Sequence, residues 1–340
     1  MRRSIRIAVL GLAGIGTLAL ASLAVAAYTS PKLQVTYAGA TTVITASAAV
    51  ADDATAVATI YIPAGTTLTT NQAPGTQIGT AKAQVSALAL AGALLPLEGP
   101  IVVAPPGVIP AASQLACTQG VTPMASWVLQ LSVAGQAINL PAYVLPTVGA
   151  ETALGAAKLR FCLPPPDIPA AQGGATNGAK FLSAALTLNG VFSSVTQGAW
   201  IAFWTPWQAG NGQVNQTGSV ASPAAVAAGG VTVAAKANGL GAVVAGKVTQ
   251  GGLARPNTVV VIWGAKGKNA LKKLGTTKTS AKGTFSFRAR NANFFQARVA
   301  AGTIAAPPLC TAIAAQLQGI PCVNPTANGF TAKSAVVRKK

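Results

Sequence analysis

The chain has 340 residues, of which 51% are hydrophobic and 9% charged, with 36 Gly, 22 Pro, no His and a formal net charge of +19. Without histidine, Ser-His-Asp and Cys-His catalytic arrangements and the usual histidine-containing zinc sites are excluded. Long solvent-facing helices normally carry many Glu and Lys residues, so the scarcity of charge argues against helical bundles. A solvent face built from Thr, Ser, Gln, Asn and Gly is typical of antiparallel strands.

The N-terminal residues are typical of a secretory signal peptide. Three arginines within residues 2–6 precede an uncharged apolar run that ends in an Ala-x-Ala pattern at Ala24–Ala26. We predict that residues 1–26 are a cleaved signal peptide, with an uncleaved anchor as the alternative because the run is long. The mature protein is then secreted, extracellular or associated with the cell envelope. The most apolar later stretch, 85–97, is too short to span a bilayer.

Residues 27–224 predict a large β-sandwich domain. Short alternating or β-branched segments are separated by turn residues such as Asn189-Gly190. The Pro-rich stretch 96–110 is expected to be an extended surface loop. The nine predicted strands are 33–37, 41–48, 54–62, 76–85, 125–133, 137–145, 157–163, 180–192 and 199–204.

A second, smaller all-β domain is predicted over residues 239–340. Phe285 and Phe287 alternate with polar residues, and a tight turn with Gly283 at positive φ precedes them. The expected strands are 242–248, 258–263, 274–279 and 284–289. The pattern that these strands share with known proteins consists of Gly246-x-Val248, Gly251-Gly252, Pro256-Asn257, Leu274-Gly275-Thr276-Thr277-x-Thr279 and Gly283-x-Phe285-x-Phe287.

This pattern resembles the carboxypeptidase-regulatory-like, or transthyretin-like, immunoglobulin-type sandwich of secreted bacterial proteins. The resemblance covers less than a third of the chain, and Lys282 stands where the family usually has an acidic or amide residue. It implies an Ig-like fold and an accessory module without catalytic residues.

Charge divides the chain into two halves. The small-residue stretch 219–230 indicates the connection between them, and we place the linker over 225–238. Residues 27–227 carry five basic and five acidic side chains, whereas residues 228–340 carry 16 Lys and Arg and no Asp or Glu. The second half therefore cannot form a side-chain ion pair of its own, and its field must be neutralised by other groups.

For an exported protein, this charge favours a partner that is an anionic wall polymer or another extracellular polyanion. The alternative is that the excess charge only maintains solubility. Neither specific nucleic-acid recognition nor a cofactor is predicted. The densest basic residues, and hence the predicted binding residues, are Lys266, Lys268, Lys272, Lys273, Arg338, Lys339 and Lys340.

The four cysteines are expected to form structural disulfides. Pairing within each half, Cys117 with Cys162 and Cys310 with Cys322, is the simplest of three possible connectivities. A metal site is a poor alternative, because neither Cys-x-x-Cys nor histidine is present.

Catalysis is not predicted. A hydrolase would have to take a carboxylate pair from the five that the chain contains, which are Asp52, Asp53, Glu98, Glu151 and Asp167. Asp52 and Asp53 are adjacent in a predicted turn, and Asp167 follows three prolines. We therefore expect a non-enzymatic structural or adhesive protein, and a hydrolase remains a hypothesis.

A tryptophan cluster supports an alternative function. Trp200, Trp204 and Trp207 lie within the sequence AWIAFWTPW. If these rings were exposed, they could stack on sugar rings, and the chain would be a secreted carbohydrate-binding protein. The competing interpretation is that the rings fill the core of the sandwich.

Overall fold

A computed structural model of the protein describes residues 28–29, 31–38, 40–133, 135–195, 198–226, 229–250, 253–268, 270–299, 309–324 and 332–340. The predicted signal peptide lies outside the described residues. Strands make up 54% of the structure and helices 11%, which confirms the all-β prediction. Within the described ranges, no helix has the length and hydropathy needed to cross a membrane.

The first unit is built around a single antiparallel sheet of eleven strands. Two further short strands, β4 and β11, pair with each other. The strands are β1 (Lys32–Ala38), β2 (Thr41–Ser47), β3 (Thr55–Ile62), β4 (Thr67–Leu68), β5 (Gln77–Ala87), β6 (Ala93–Val103), β7 (Ala125–Val133), β8 (Gln136–Pro146), β9 (Ala157–Cys162), β10 (Ala179–Asn189), β11 (Phe192–Ser193), β12 (Ala199–Pro206) and β13 (Val220–Ala225). Helix α1 (Ala111–Thr118) joins β6 to β7, and 3-10 turns occupy Leu88–Leu90, Gly149–Ala153, Ala170–Gln172, Thr176–Gly178 and Gln216–Gly218.

The large sheet curls until its two ends meet. Its strand order is β1-β2-β10-β5-β6-β7-β8-β9-β3-β12-β13, and Val35 in β1 forms a parallel bridge with Val226, directly after β13. The inner faces of opposite strands pack on each other, as the stacked rings of Phe181 and Trp204 show, with centroids 6.1 Å apart. The two packed layers of the predicted sandwich therefore belong to one continuous sheet.

All nine strands predicted in the first unit are present, with shifts of a few residues at their ends. One prediction is wrong: the Pro-rich stretch from residue 96 begins inside β6 rather than in a surface loop. Pro96 pairs with Gln84 of β5 and lies beyond the residues of β6 that pair with β7. Proline is tolerated in a strand where only one neighbour needs its backbone, so composition alone misassigned this segment.

The second unit consists of two packed antiparallel sheets. β15 pairs with β14, β16 and β19 in one sheet, and the other has the order β18-β17-β20-β21, with β22 also paired to β20. The strands are β14 (Gly229–Asn238), β15 (Gly241–Gln250), β16 (Leu253–Ala254), β17 (Val259–Ala265), β18 (Lys272–Lys278), β19 (Thr284–Arg290), β20 (Phe294–Val299), β21 (Ala332–Lys333) and β22 (Val337–Arg338).

The sequence pattern of the second unit is explained by this packing. The four predicted strands form, Phe285 is buried between the sheets, and Gly283 has a φ of +71° in the predicted turn. Gly246 is required by close approach, because a Cβ there would lie 1.9 Å from the carbonyl oxygen of Thr232 and 2.7 Å from Phe285 Cζ. The predicted linker over 225–238 is not a linker for most of its length, since residues 229–238 form β14 and pair with β15 along its full length.

Both predicted disulfides are present. Cys117 joins α1 to Cys162 at the end of β9, and Cys310 is bonded to Cys322. The second disulfide closes a segment, residues 309–324, that contains the helices α2 (Leu309–Ala312) and α3 (Ala314–Leu317).

We call residues 309–324 the clasp, because this segment of the second half packs on the first unit. Ile313 and Leu317 share a hydrophobic cluster with Tyr61 and Ile201. Ala221 of β13 donates a backbone hydrogen bond to Pro321 and accepts one from Val323, both 2.8 Å long. The clasp therefore continues the packing of the first unit with residues that lie between β20 and β21 of the second.

Replacing both clasp cysteines (C310A/C322A) is expected to lower the free energy of unfolding by about 3 kcal/mol, because the bond closes a short loop in the unfolded chain. Hydrogen exchange at the amides of Ala221 and Val323 should accelerate, since these bonds depend on the position of the clasp. Amides of β12 serve as the control and should keep their protection. Unchanged exchange at Val323 in the double variant contradicts this role of the disulfide.

Candidate functional site

The five-stranded sheet of the second unit has a solvent-facing surface with an unusual composition. In β17, Val260 and Ile262 are buried between the sheets, so the alternating residues Val261 and Trp263 lie on the outer face. Directly paired residues of neighbouring strands share a face. The outer face thus takes its neighbouring side chains from β18 and from β20, and we call it the basic face.

An arginine stacked on a tryptophan forms the centre of the basic face. Arg298 of β20 lies with its Cζ atom 4.1 Å from the ring centroid of Trp263. Its Nε donates a hydrogen bond of 2.7 Å to Oε1 of Gln296, and Nε2 of Gln296 donates one of 2.9 Å to the carbonyl oxygen of Ser334. The guanidinium is therefore held over the ring by a neighbour that is itself hydrogen-bonded, an arrangement suited to recognition of anionic groups.

Lysines flank this centre on both sides. Lys273 pairs with Trp263 across β18 and β17, and Lys333 of β21 pairs with Arg298. Together with Val261, Val299 and Ala332, these four residues line a shallow depression of about 590 Å³. One aromatic ring and three cationic groups thus line one open concavity.

No carboxylate side chain of the second half can neutralise the basic face, because residues 228–340 contain neither Asp nor Glu. Four of the five carboxylates of the first unit have contacts there that the structure shows, including the ion pairs of Glu98 with Lys82 and of Glu151 with Lys158. Asp52 accepts hydrogen bonds from the backbone of Thr29 (2.6 Å) and Ala49 (2.8 Å), and Asp167 accepts one from the backbone of Gly210. The field of the basic face is consequently available to a ligand.

The structure brings the two predicted basic clusters to one end of the five-stranded sheet. Lys272 pairs with Gly264 near the end of β17, Lys266 follows that strand directly, and Arg338 pairs with Phe294, the partner of Ala265. Strand spacing places the backbones of Arg338 and β17 about 10 Å apart. The remaining predicted residues adjoin this end: Lys268 in the connection from β17 to β18, and Lys339 and Lys340 after β22.

Trp263, Arg298 and Lys333 were missed by sequence reasoning. Arg298 and Lys333 are isolated from other basic residues along the chain and Trp263 carries no charge, so a search for charge clusters passes over all three. Only the pairing of β17, β20 and β21 makes them neighbours. The available signal was the strand alternation of Trp263 with buried Val260 and Ile262.

The predicted sugar-stacking role of the tryptophan cluster is wrong for two of its three members. Trp200 and Trp204 have no exposed surface and lie in the core of the first unit. Trp204 also donates a hydrogen bond of 2.7 Å to Ser222. Trp207 is half-buried, with its Nε1 bonded to the carbonyl of Leu163 at 3.1 Å. The rings fill the interior, as bulky apolar residues do between two β layers.

The carboxylates proposed for a hydrolase serve structural roles where the structure shows their contacts. Asp52 and Asp53 lie in the turn between β2 and β3, as predicted. Glu98 pairs with Lys82 on the exposed surface at 3.4 Å. Among the described residues, no group of three or more His, Cys, Asp or Glu side chains could hold a metal ion.

A polar cleft of about 310 Å³ separates the clasp from the first unit, and Glu151 lies in it. Glu151 accepts hydrogen bonds from Lys158 at 2.6 Å and from the Tyr61 hydroxyl at 2.8 Å. Burial alone would raise the pKa of Glu151, but the hydrogen bonds from Lys158 and Tyr61 outweigh it and lower that pKa. Burial lowers the pKa of the neighbouring Arg160.

Neither a protein-family model nor a curated protein sequence matches the chain.

The ion pair of Glu151 and Lys158 supplies a test of the structure. E151Q should lower the free energy of unfolding by about 3 kcal/mol at neutral pH, because it leaves the Lys158 ammonium buried without its partner. Since the folded-state pKa of Glu151 is lowered, its contribution is complete above the unfolded-state pKa and is lost as pH falls through the folded-state value. The difference between wild type and variant should therefore shrink below about pH 4.

The matched control is E98Q, which removes the other ion pair. The side chains of Lys82 and Glu98 are 76% and 72% exposed, whereas that of Lys158 is 5% exposed. E98Q should therefore cost less than about 0.5 kcal/mol. Chemical denaturation across the pH range measures both variants, and equal effects would show that Lys158 is not held by Glu151.

Proposed function

We propose that the protein is a non-enzymatic structural or adhesive component of the cell envelope or extracellular space that binds an anionic polymer through the basic face. The observation that carries the proposal is Arg298 stacked on Trp263 between Lys273 and Lys333, in a half of the chain without a carboxylate side chain. The resemblance of this half to the carboxypeptidase-regulatory-like sandwich is part of the proposal and is consistent with an accessory role.

The chemistry of the basic face favours an acidic polysaccharide or a polyol-phosphate wall polymer as the ligand. A planar guanidinium matches the geometry of a carboxylate or phosphate group, and the flanking lysines act as point charges. The half-buried side chain of Val261, on the same face as the ring, offers a surface to the carbon face of a repeating unit. A polymer satisfies several such groups at once, so weak individual contacts add up.

Export is the part of the proposal that places the protein near such polymers. The N-terminal residues have the layout of a signal peptide, and the two disulfides are compatible with an oxidising compartment. The first unit, with balanced charges over residues 27–227, has no comparable electrostatic preference. We infer that it acts as the part of the molecule that projects away from the polymer.

Removal of the three cations that line the depression of the basic face tests the proposal. The variant K273A/R298A/K333A should bind polygalacturonate or polyphosphate about a hundredfold more weakly at low salt, since each cation near an anionic surface contributes about 1 kcal/mol. The wild-type affinity should fall steeply as salt rises, and the variant should show a shallower dependence. Calorimetric titration of the full mature chain measures both quantities.

The control is K236A/K247A/K282A, which removes three exposed lysines located on β14, on β15 and in the turn before β19. Both variants lower the net charge by three, so they differ in affinity only if the polymer binds at the basic face. The control should lose much less affinity than the variant of the basic face. Equal losses of affinity would show that net charge, rather than the basic face, determines binding, and would contradict the proposal. Binding that does not depend on salt would also overturn it.

A further inference from the structure

The curled sheet of the first unit encloses a cavity that the basic face does not use. Side chains from β2, β3, β5 to β10 and β12 surround a space of about 200 Å³ inside the sheet. Apart from Thr55 and Thr176, the residues that line it have no polar side chain except the indole nitrogen of Trp204, which is bonded to Ser222. A cavity of this kind excludes water and accepts apolar molecules, as engineered cavities of about 150 Å³ do.

The cavity exists because small side chains occupy inward-facing positions of several strands. Ala83 of β5 and Ala184 of β10 are directly paired, both line the cavity, and neither reaches the opposite layer. Ala46, Ala58 and Ala81 line it in the same way. A closed sheet of many strands has an interior wider than small side chains can fill, so alanine at these positions leaves room for a ligand.

The cavity reaches the surface beside the connection between β9 and β10. Pro164 and Thr176 both line it and are exposed. The 3-10 turn Thr176–Gly178 contacts the turn Leu88–Leu90 of the β5–β6 hairpin. Three leucines on this hairpin are about half exposed, namely Leu88, Leu90 and Leu94. An apolar surface thus continues from the mouth of the cavity to the outside.

We infer that the first unit binds an unbranched aliphatic chain, the tail of a lipid or of a free alkyl compound, inside the curled sheet. The chain enters between Pro164 and Thr176, and the exposed leucines of the β5–β6 hairpin contact it before entry. The lining selects length and apolarity rather than a head group, because it offers hydroxyls only at Thr55 and Thr176.

A homologous series of n-alkanols from about six to about fourteen carbons tests the inference on the full mature chain. Affinity should rise about fourfold for each added methylene and then level off when the cavity is full. A second titration uses a monoacyl phospholipid below its micelle concentration. Saturable binding in either titration supports the inference, and the tighter ligand identifies the source of the chain. Calorimetry gives the affinity. A shift in tryptophan emission on binding that is lost in the variant W204F shows that the ligand lies beside Trp204, which lines the cavity.

Filling the cavity provides the decisive variant. A83L places three more carbons in the space and should weaken binding of the longest tight-binding alkanol by at least about tenfold, by displacing about two methylenes. The control A137L makes the same change on the exposed outer face of β8 and should bind as wild type does. Thermal unfolding shows whether each variant is folded; if A83L is not, A184L replaces it, because residue 184 lines the same space.

Two results would overturn the inference. One is that affinity rises with chain length without levelling off, which indicates partition onto the exposed leucines rather than entry. The other is that a folded cavity-filled variant binds alkanols as tightly as A137L does. The triple variant of the basic face should bind alkanols normally, so failure here leaves the polymer-binding proposal untouched.

Discussion

The structure depends on closing a sheet whose strands have very few charged side chains to cover them. Every strand has backbone groups that need partners, and an open edge on such a long sheet would leave a row of them exposed. The bridge between Val35 and Val226 brings the first and last strands of the order together. The rest of the first unit follows from this closure, including the buried tryptophans, the inward alanines and the cavity.

The second unit is also built from antiparallel strands, but it consists of two separate sheets packed on each other. Its two sheets bury Val244, Ile262 and Phe295 between them. Residues 228–340 carry the whole net charge of residues 27–340, because the five basic and five acidic side chains of residues 27–227 balance. Because residues 228–340 contain no Asp or Glu, their cations cannot form ion pairs with carboxylates on neighbouring strands. Lys82 and Glu98 form such a pair in the first unit. The stacking of Arg298 on Trp263 replaces an ion pair with a contact between a cation and a ring. It orders the guanidinium and keeps its full charge.

The clasp connects the two units. Residues 309–324 come late in the chain but pack against Tyr61 and Ile201 of the first unit. The disulfide of Cys310 and Cys322 closes this short segment, whose Ile313 and Leu317 side chains are buried. Consequently the boundary between the units does not coincide with a single point along the chain. The basic face and the cavity therefore belong to two units that the packing of the clasp holds in contact.

Local patterns in the sequence determined the all-β class, most strand positions, both disulfides and the uneven distribution of charge. Alternation at Phe285 and Phe287, the turn at Gly283 and the spacing of the cysteines are short-range signals, and short-range physics governs them. The tertiary structure decided the features that depend on contacts between residues far apart along the chain. Pro96 became part of a strand because β5 was available as a neighbour, and Trp200 and Trp204 became core because the sheet closed over them. Arg298, Trp263 and Lys333 became one site because hydrogen-bond register joins residues that are far apart along the chain.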